Sequence, residues 1–212
     1  WTCVAWPPPP RSAAGNGAAA AGSLLALGSD SGMVAVWDLR QGALVHELRG
    51  HTQPVTDVAF ERSAADGTLA LLSSGRDRQV LCWSLPSGDQ VHAFASGPAA
   101  VERLVPTAAA DHVLLASSAI RLLRRDTWKK KAKLAGHAGR VTCLCLTADD
   151  RLAASSANDR HVSLWRVPAD DGAGADACVQ TLALETTVAH VAFHQPAAGG
   201  SGGGAAARYA LL

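Results

Sequence analysis

Short, mostly apolar segments that end in a polar residue recur along the chain. Met33-Val-Ala-Val-Trp37-Asp38, Gln79-Val-Leu-Cys-Trp83-Ser84, Ala119-Ile-Arg-Leu-Leu123-Arg124 and His161-Val-Ser-Leu-Trp165-Arg166 align with one another. Their fourth apolar positions stand at 37, 83, 123 and 165. That period, about 40 to 45 residues, is longer than the ~33 or 34 of common helical repeats. Each segment is short, rich in Val, Leu and Trp, and bounded by Gly, Asp, Asn or Ser, which predicts strands closed by turns.

Each repeat parses into four such strands. The first uses residues 2–6, 24–27, 34–37 and 44–48, and the second 55–60, 69–73, 80–83 and 90–94. The third uses 101–105, 113–116, 120–123 and 129–134, and the fourth 141–146, 152–155, 162–167 and 179–184. A fifth starts at 188–193 and breaks off after 208–212. Four strands per repeat at this period is the pattern of a WD-repeat β-propeller, so an all-β fold is expected, with blades at about 1–48, 49–94, 95–134 and 135–184 and a partial one at 185–212. A blade must stack on neighbours, and the ring must close to protect its edges. About four and a half blades do not close, so the expectation is an arc of a larger ring. Low-complexity inserts at 7–22, 168–177 and 195–207 fall at connections on one rim. Their Pro, Gly and Ala content is expected to give little order.

Composition narrows the class. With 48% hydrophobic residues the chain can bury a core, and no apolar run approaches the ~18 to 20 residues of a spanning helix, so it reads as soluble. It opens at Trp1 without an initiator methionine, so any targeting signal is expected upstream. Cys3, Cys82, Cys143, Cys145 and Cys178 include no C-x-x-C pair, which predicts reduced thiols. Cys143 and Cys145 share a strand face and are read as small buried side chains, with no metal assigned.

The second repeat holds His51 in a Gly-His pair, Ser73, Asp77 and Trp83, and the fourth holds His137, Ser155, Asp159 and Trp165 in the same order. Ser, His and Asp suggest a hydrolase. Two sets one repeat apart argue instead for fold elements, since in the WD-repeat family these positions form a hydrogen-bonded chain within a blade. The third repeat lacks the Gly-His pair and the turn Asp and has Leu123 for Trp, so it is expected to rely on packing alone. The first keeps Asp30 and Trp37. No G-x-x-x-x-G-K-[ST], H-E-x-x-H or G-x-S-x-G motif is present; no catalytic residue and no cofactor is assigned.

Net charge is +1, but Arg121, Arg124, Arg125, Lys129, Lys130, Lys131 and Lys133 fall in one short span of the third repeat. Two readings stand: an outer strand edge guarded by lysine, or a contact for RNA or an acidic partner. Trp128, among these bases, either stacks on a nucleobase or packs between blades.

The runs Leu114-Leu-Ala-Ser-Ser-Ala-Ile-Arg-Leu-Leu123, Trp128-Lys-Lys-Lys-Ala-Lys-Leu134 and Ala135-Gly-His-Ala-Gly-Arg-Val-Thr-Cys-Leu144, followed by the segment around Trp165, resemble one family. It is the fifth U-three-associated protein, the WD-repeat subunit of the t-Utp (UtpA) subcomplex of the small-subunit processome. The resemblance implies a nucleolar scaffold of ribosome biogenesis that joins other WD-repeat subunits of that subcomplex on pre-ribosomal RNA and supports rRNA transcription and processing. Leu123 for the usual Trp and the three inserts depart from the family pattern. The alternative is a generic WD-repeat adaptor, such as a ubiquitin-ligase substrate receptor. In it, the face carrying the second-to-third-strand turns and the inter-blade loops grips a peptide. Neither reading needs a small-molecule substrate or a membrane.

Overall fold

The computed structural model describes residues 1–7, 23–63, 67–108, 110–168, 178–194 and 210–211. Apart from Pro7 and Pro168, the three inserts lie outside the described residues.

Four antiparallel four-stranded sheets follow one another along the chain. Blade 1 contains β1 (Cys3–Ala5), β2 (Leu24–Gly28), β3 (Met33–Asp38) and β4 (Ala43–Arg49). Blade 2 contains β5 (Val55–Arg62), β6 (Leu69–Gly75), β7 (Gln79–Ser84) and β8 (Gln90–Ala95). Blade 3 contains β9 (Arg103–Pro106), β10 (His112–Ala116), β11 (Ile120–Arg124) and β12 (Lys130–Leu134). Blade 4 contains β13 (Val141–Leu146), β14 (Leu152–Ala157), β15 (His161–Arg166) and β16 (Cys178–Ala183). A pair, β17 (Phe193–His194) and β18 (Ala210–Leu211), begins a fifth. This is an all-β arc of a WD-type propeller.

Within each blade the strands run in chain order, and the third and fourth strands slip register at one place. The shift falls at Val36/Trp37, Cys82/Trp83, Leu122/Leu123 and Leu164/Trp165. Bulges of this kind increase strand twist, and here they sit at the position the repeat marks with Trp or Leu.

The cores lie between blades rather than inside them. Val34, Val36 and Leu48 of blade 1 pack with Val55, Leu71 and Trp83 of blade 2. Leu72, Val80 and Cys82 meet Leu104, Val113, Leu115 and Leu123, and Leu114, Ile120 and Leu134 meet Leu144 and Trp165. Period-two alternation sends successive side chains to opposite faces, so blades 2 and 3 each feed two interfaces.

The innermost strands are stapled by threonine, a feature the sequence reading missed. The hydroxyl of Thr2 donates to Val55 O at 2.6 Å, that of Thr56 to Val101 O at 2.5 Å and that of Thr142 to Val188 O at 3.3 Å. Blade 3 has Glu102 at this place and pairs it with Arg140 of blade 4 at 3.1 Å. Its inner strand also begins later than expected. Val101 is fully buried and serves as the acceptor for Thr56, while Glu102 N bonds to Ala116 O, and β9 starts only at Arg103.

Candidate functional site

In blade 2 the connection from β4 of blade 1 to β5 delivers His51 beneath the β6–β7 turn. The Trp83 indole N–H donates to Ser73 Oγ at 2.8 Å, and Ser73 Oγ lies 2.9 Å from His51 Nε2. His51 Nδ1 lies 2.9 Å from Asp77 Oδ2, and that carboxylate also accepts the amides of Thr52 and Gln79. Blade 4 repeats the arrangement. Trp165 Nε1 reaches Ser155 Oγ at 2.7 Å, His137 Nε2 lies 2.8 Å from Ser155 Oγ, and His137 Nδ1 lies 3.0 Å from Asp159. The donor and acceptor inventory closes if each serine accepts from its indole and donates to a neutral imidazole, whose Nδ1–H then donates to Asp.

The glycine of each Gly-His pair is fixed by the same packing. A methyl on Gly50 or Gly136 would come within 2.8 Å of the Trp83 or Trp165 ring.

A hydrolase needs an exposed Oγ beside its base. Ser73 and Ser155 are both 0% exposed, and each oxygen is capped by an indole N–H. These networks therefore act within the blades. Burial alone would raise the Asp159 carboxyl, but the amides of His161 and Ala138 and the His137 ring outweigh it and hold it below the usual carboxylate range.

Register explains why the other blades lack the network. Trp83 pairs with Leu71 and Trp165 with Ala153, each two residues before the serine. The same count from Trp37 and Leu123 reaches Leu27 and Leu115, neither of which can accept a hydrogen bond. Asp30 is exposed, and the blade 1 turn closes through Ser29, which contacts Ser31 Oγ at 2.9 Å and accepts from Met33 N.

The basic segment divides in two. Arg125 is not available to RNA: its guanidinium forms a two-pronged pair with buried Glu61 of blade 2, with Nε 2.8 Å from Oε2, and also lies 3.4 Å from Cys82 Sγ. Arg121 donates to Ser96 O at 2.5 Å, and Lys131 lies 3.3 Å from His112 Nε2. Trp128 packs between blades. It is 8% exposed and stacks on His92 and Phe94 of β8 at centroid distances of 5.0 and 5.5 Å, with Arg125 4.2 Å over its ring. Blade 3 thus does not rely on packing alone. Lys129, Lys130 and Lys133 are exposed, while Arg124 is half-buried.

The thiols offer little chemistry. Burial raises Cys3, Cys82 and Cys145, and with neighbouring Cys143 it pushes Cys145 up to about 11. All five cysteines are free.

One cavity, about 470 Å³, opens where the innermost strands end, between the β6–β7 and β14–β15 turns and the inter-blade loops. Arg76, Arg103 and Arg140 line it, with Glu102, Asn158 and Thr187.

The four-stranded repeats, inter-blade cores and twin networks are those of a WD-type propeller fold. Residues 42–84 and 128–166 match the family described as WD domain, G-beta repeat. Each match starts at or beside an outermost strand and ends with the third strand of the next blade, so the sequence repeat bridges two structural blades. Mouse guanine nucleotide-binding protein subunit beta-like protein 1 is 29% identical over 151 residues, which is 67% of this chain and 44% of that protein. Human WD repeat and SOCS box-containing protein 1 is 40% identical over 62 residues, 29% of this chain and 14% of that protein. Arabidopsis thaliana pre-mRNA-processing factor 19 homolog 2 is 24% identical over 161 residues, 73% of this chain and 29% of that protein. The chain spans less than half the length of these relatives.

Proposed function

We propose that this arc is a non-enzymatic scaffold that holds partner proteins on the face bearing the β6–β7 and β14–β15 turns. The observation that carries the proposal is the burial of both Ser-His-Asp sets. Their polar groups are spent inside the blades, which leaves the loops above them as a rigidly held surface open to partners. The SOCS-box and pre-mRNA-processing relatives are in keeping with an adaptor that uses one propeller architecture for different partners.

A second reading has its own support. Exposed Lys129, Lys130 and Lys133 on the outer edge of blade 3, with the resemblance of residues 114–144, favour a nucleolar scaffold of small-subunit ribosome biogenesis contacting other t-Utp (UtpA) propellers and pre-ribosomal RNA. Three phosphate contacts on a single strand give a log-log salt slope of about −2.

Isolation of the tagged full-length protein at moderate salt, with identification of bound protein and RNA, separates these readings. Processome propellers with pre-rRNA, and a slope that falls when Lys129 and Lys130 become alanine, support the nucleolar reading. Ubiquitin-ligase components without pre-rRNA support the adaptor. Recovery of the protein alone overturns the scaffold proposal.

A further inference from the structure

One constellation of titratable side chains belongs to blade 3 alone. In every blade the bulge between third and fourth strands leaves one residue of the fourth strand without a register partner: Val45 in β4, Val91 in β8, Lys131 in β12 and Val179 in β16. Such bulges re-aim the side chain they carry. The three valines are exposed, whereas Lys131 is half-buried and its Nζ lies 3.3 Å from Nε2 of His112 on β10. The second-strand positions that match His112 hold Leu24, Ala70 and Leu152. Lysine and imidazole thus depart from the repeat together, and their contact is no part of the plan the blades share.

The imidazole is oriented from its other side. His112 Nδ1 lies 3.1 Å from Asp111 Oδ1, and that oxygen accepts the Thr107 hydroxyl at 2.7 Å. Partial burial alone would raise the Asp111 carboxyl, but Thr107 and His112 outweigh it and hold it below the usual carboxylate range. A lysine ammonium has only protons to give, so His112 Nε2 is the acceptor and its Nδ1–H donates to Asp111. Amine, imidazole and carboxylate then stand in the order of a nucleophile, its base and the group that orients the base. Unlike Ser73 and Ser155, Lys131 opens on a cavity, of about 320 Å³, between blades 3 and 4. Its charged lining is Asp111, His112 and Lys131 from blade 3, and Asp149, Asp150 and Arg151 from the β13–β14 turn.

We propose that Lys131 is an acylation site, whose Nζ takes a small acyl group from a neutral thioester. His112 Nε2 removes one ammonium proton, and Asp111 stabilises the imidazolium that forms. Nζ then attacks the thioester carbonyl. The N–C bond forms, the C–S bond breaks, and the sulfur departs as a thiol with the second nitrogen proton, while His112 returns the first to water. The product is a neutral amide on a strand that keeps the cations of Lys130 and Lys133. A neutral donor suits the site because three carboxylates, against two cationic side chains, line the cavity and disfavour an anionic donor such as an acyl phosphate.

The test incubates the full chain with the acetyl thioester of N-acetylcysteamine and follows each lysine by peptide mass spectrometry, with Lys129, Lys130 and Lys133 as internal standards. These three are exposed, so accessibility alone favours them over Lys131. Lys131 is expected to acetylate about tenfold faster than they do, and acetyl phosphate to show no such preference. His112→Gln keeps an acceptor for Lys131 and a donor for Asp111 but supplies no base. It brings the Lys131 rate down about tenfold, to the level of the standards, and leaves the standards and the melting temperature unchanged. Asp111→Asn lowers the Lys131 rate in the same direction and serves should the glutamine variant melt early. A Lys131 rate at or below the standards in the parent chain overturns the inference, as does a preference that survives both substitutions. Preference with acetyl phosphate and none with the thioester also overturns it, since the donor is then of the anionic class.

Discussion

Blades 2 and 4 are fastened from inside, by an indole, a serine, an imidazole and a carboxylate strung from the third strand to the turn that precedes it. Blade 3, between them, has Leu115 and Leu123 in the serine and indole places and is fastened from outside, by Arg125 on Glu61 and Trp128 on His92 and Phe94. The β11–β12 turn shows the cost of that arrangement. Trp128 has φ 54, whereas the corresponding turn positions in blades 1 and 2 are Gly42 and Gly88 at φ 63 and 76. A bulky residue there is held at an expense of about 1–3 kcal/mol, and it persists because the surrounding contacts over-determine it. A blade can therefore lose its internal polar chain if its neighbour supplies a substitute across the interface.

The sharpest break of this comparison is Arg125→Ala, which leaves Glu61 buried and unpaired. A loss of about 3–5 kcal/mol in denaturant unfolding is expected, and an unchanged midpoint would show that blade 3 needs no outside clamp. Trp128→Gly relaxes the turn yet removes the stack, for a net loss of about 2–4 kcal/mol in the same assay. Asp159→Ala leaves the His137 ring and two amides without their acceptor and is expected to cost about 1–3 kcal/mol. Equal melting of that variant and the parent would remove Asp159 from the support of blade 4.

The smallest effect concerns pH. Burial pushes the Asp57 carboxyl up to about 6, against the Leu104 amide and the Arg103 guanidinium, from an ordinary 3.8. A raised carboxyl binds its proton more tightly when folded. Its contribution is thus fully present below pH 3.8 and is lost as pH rises through about 6. Asp159, held low, works in the opposite direction, contributing above the unfolded value and fading as pH falls. Asp57→Asn should flatten the stability profile between pH 4 and 6 while Asp159→Asn should not, as read from melting temperatures across that window.

The outcome for the basic segment shows where sequence stops. Seven cations in one span looked like one surface. Arg125 and Lys129 are close in sequence, but the turn sets the first over the Trp128 ring and leaves the second in solvent. Nothing local distinguishes them, because the partner of Arg125 is Glu61, a whole blade away. The arginines of the central cavity were equally invisible, scattered at 76, 103 and 140 with no motif to join them. A signal for the staples did exist, since Thr2, Thr56 and Thr142 follow the same inner-strand pattern.

The sequence by itself determined the repeat, the four-strand unit and the identity of the two internal networks. These depend on local alternation, turn chemistry and spacing, all written within one period of the chain. Strand boundaries at 24–38 and 141–166 were legible to within a residue or two for the same reason. Only the tertiary structure decided which cations are spent, which aromatic is buried and which charges meet at the centre. Those outcomes are set by contacts between blades, where register and the stacking of successive sheets bring together residues that one repeat cannot relate.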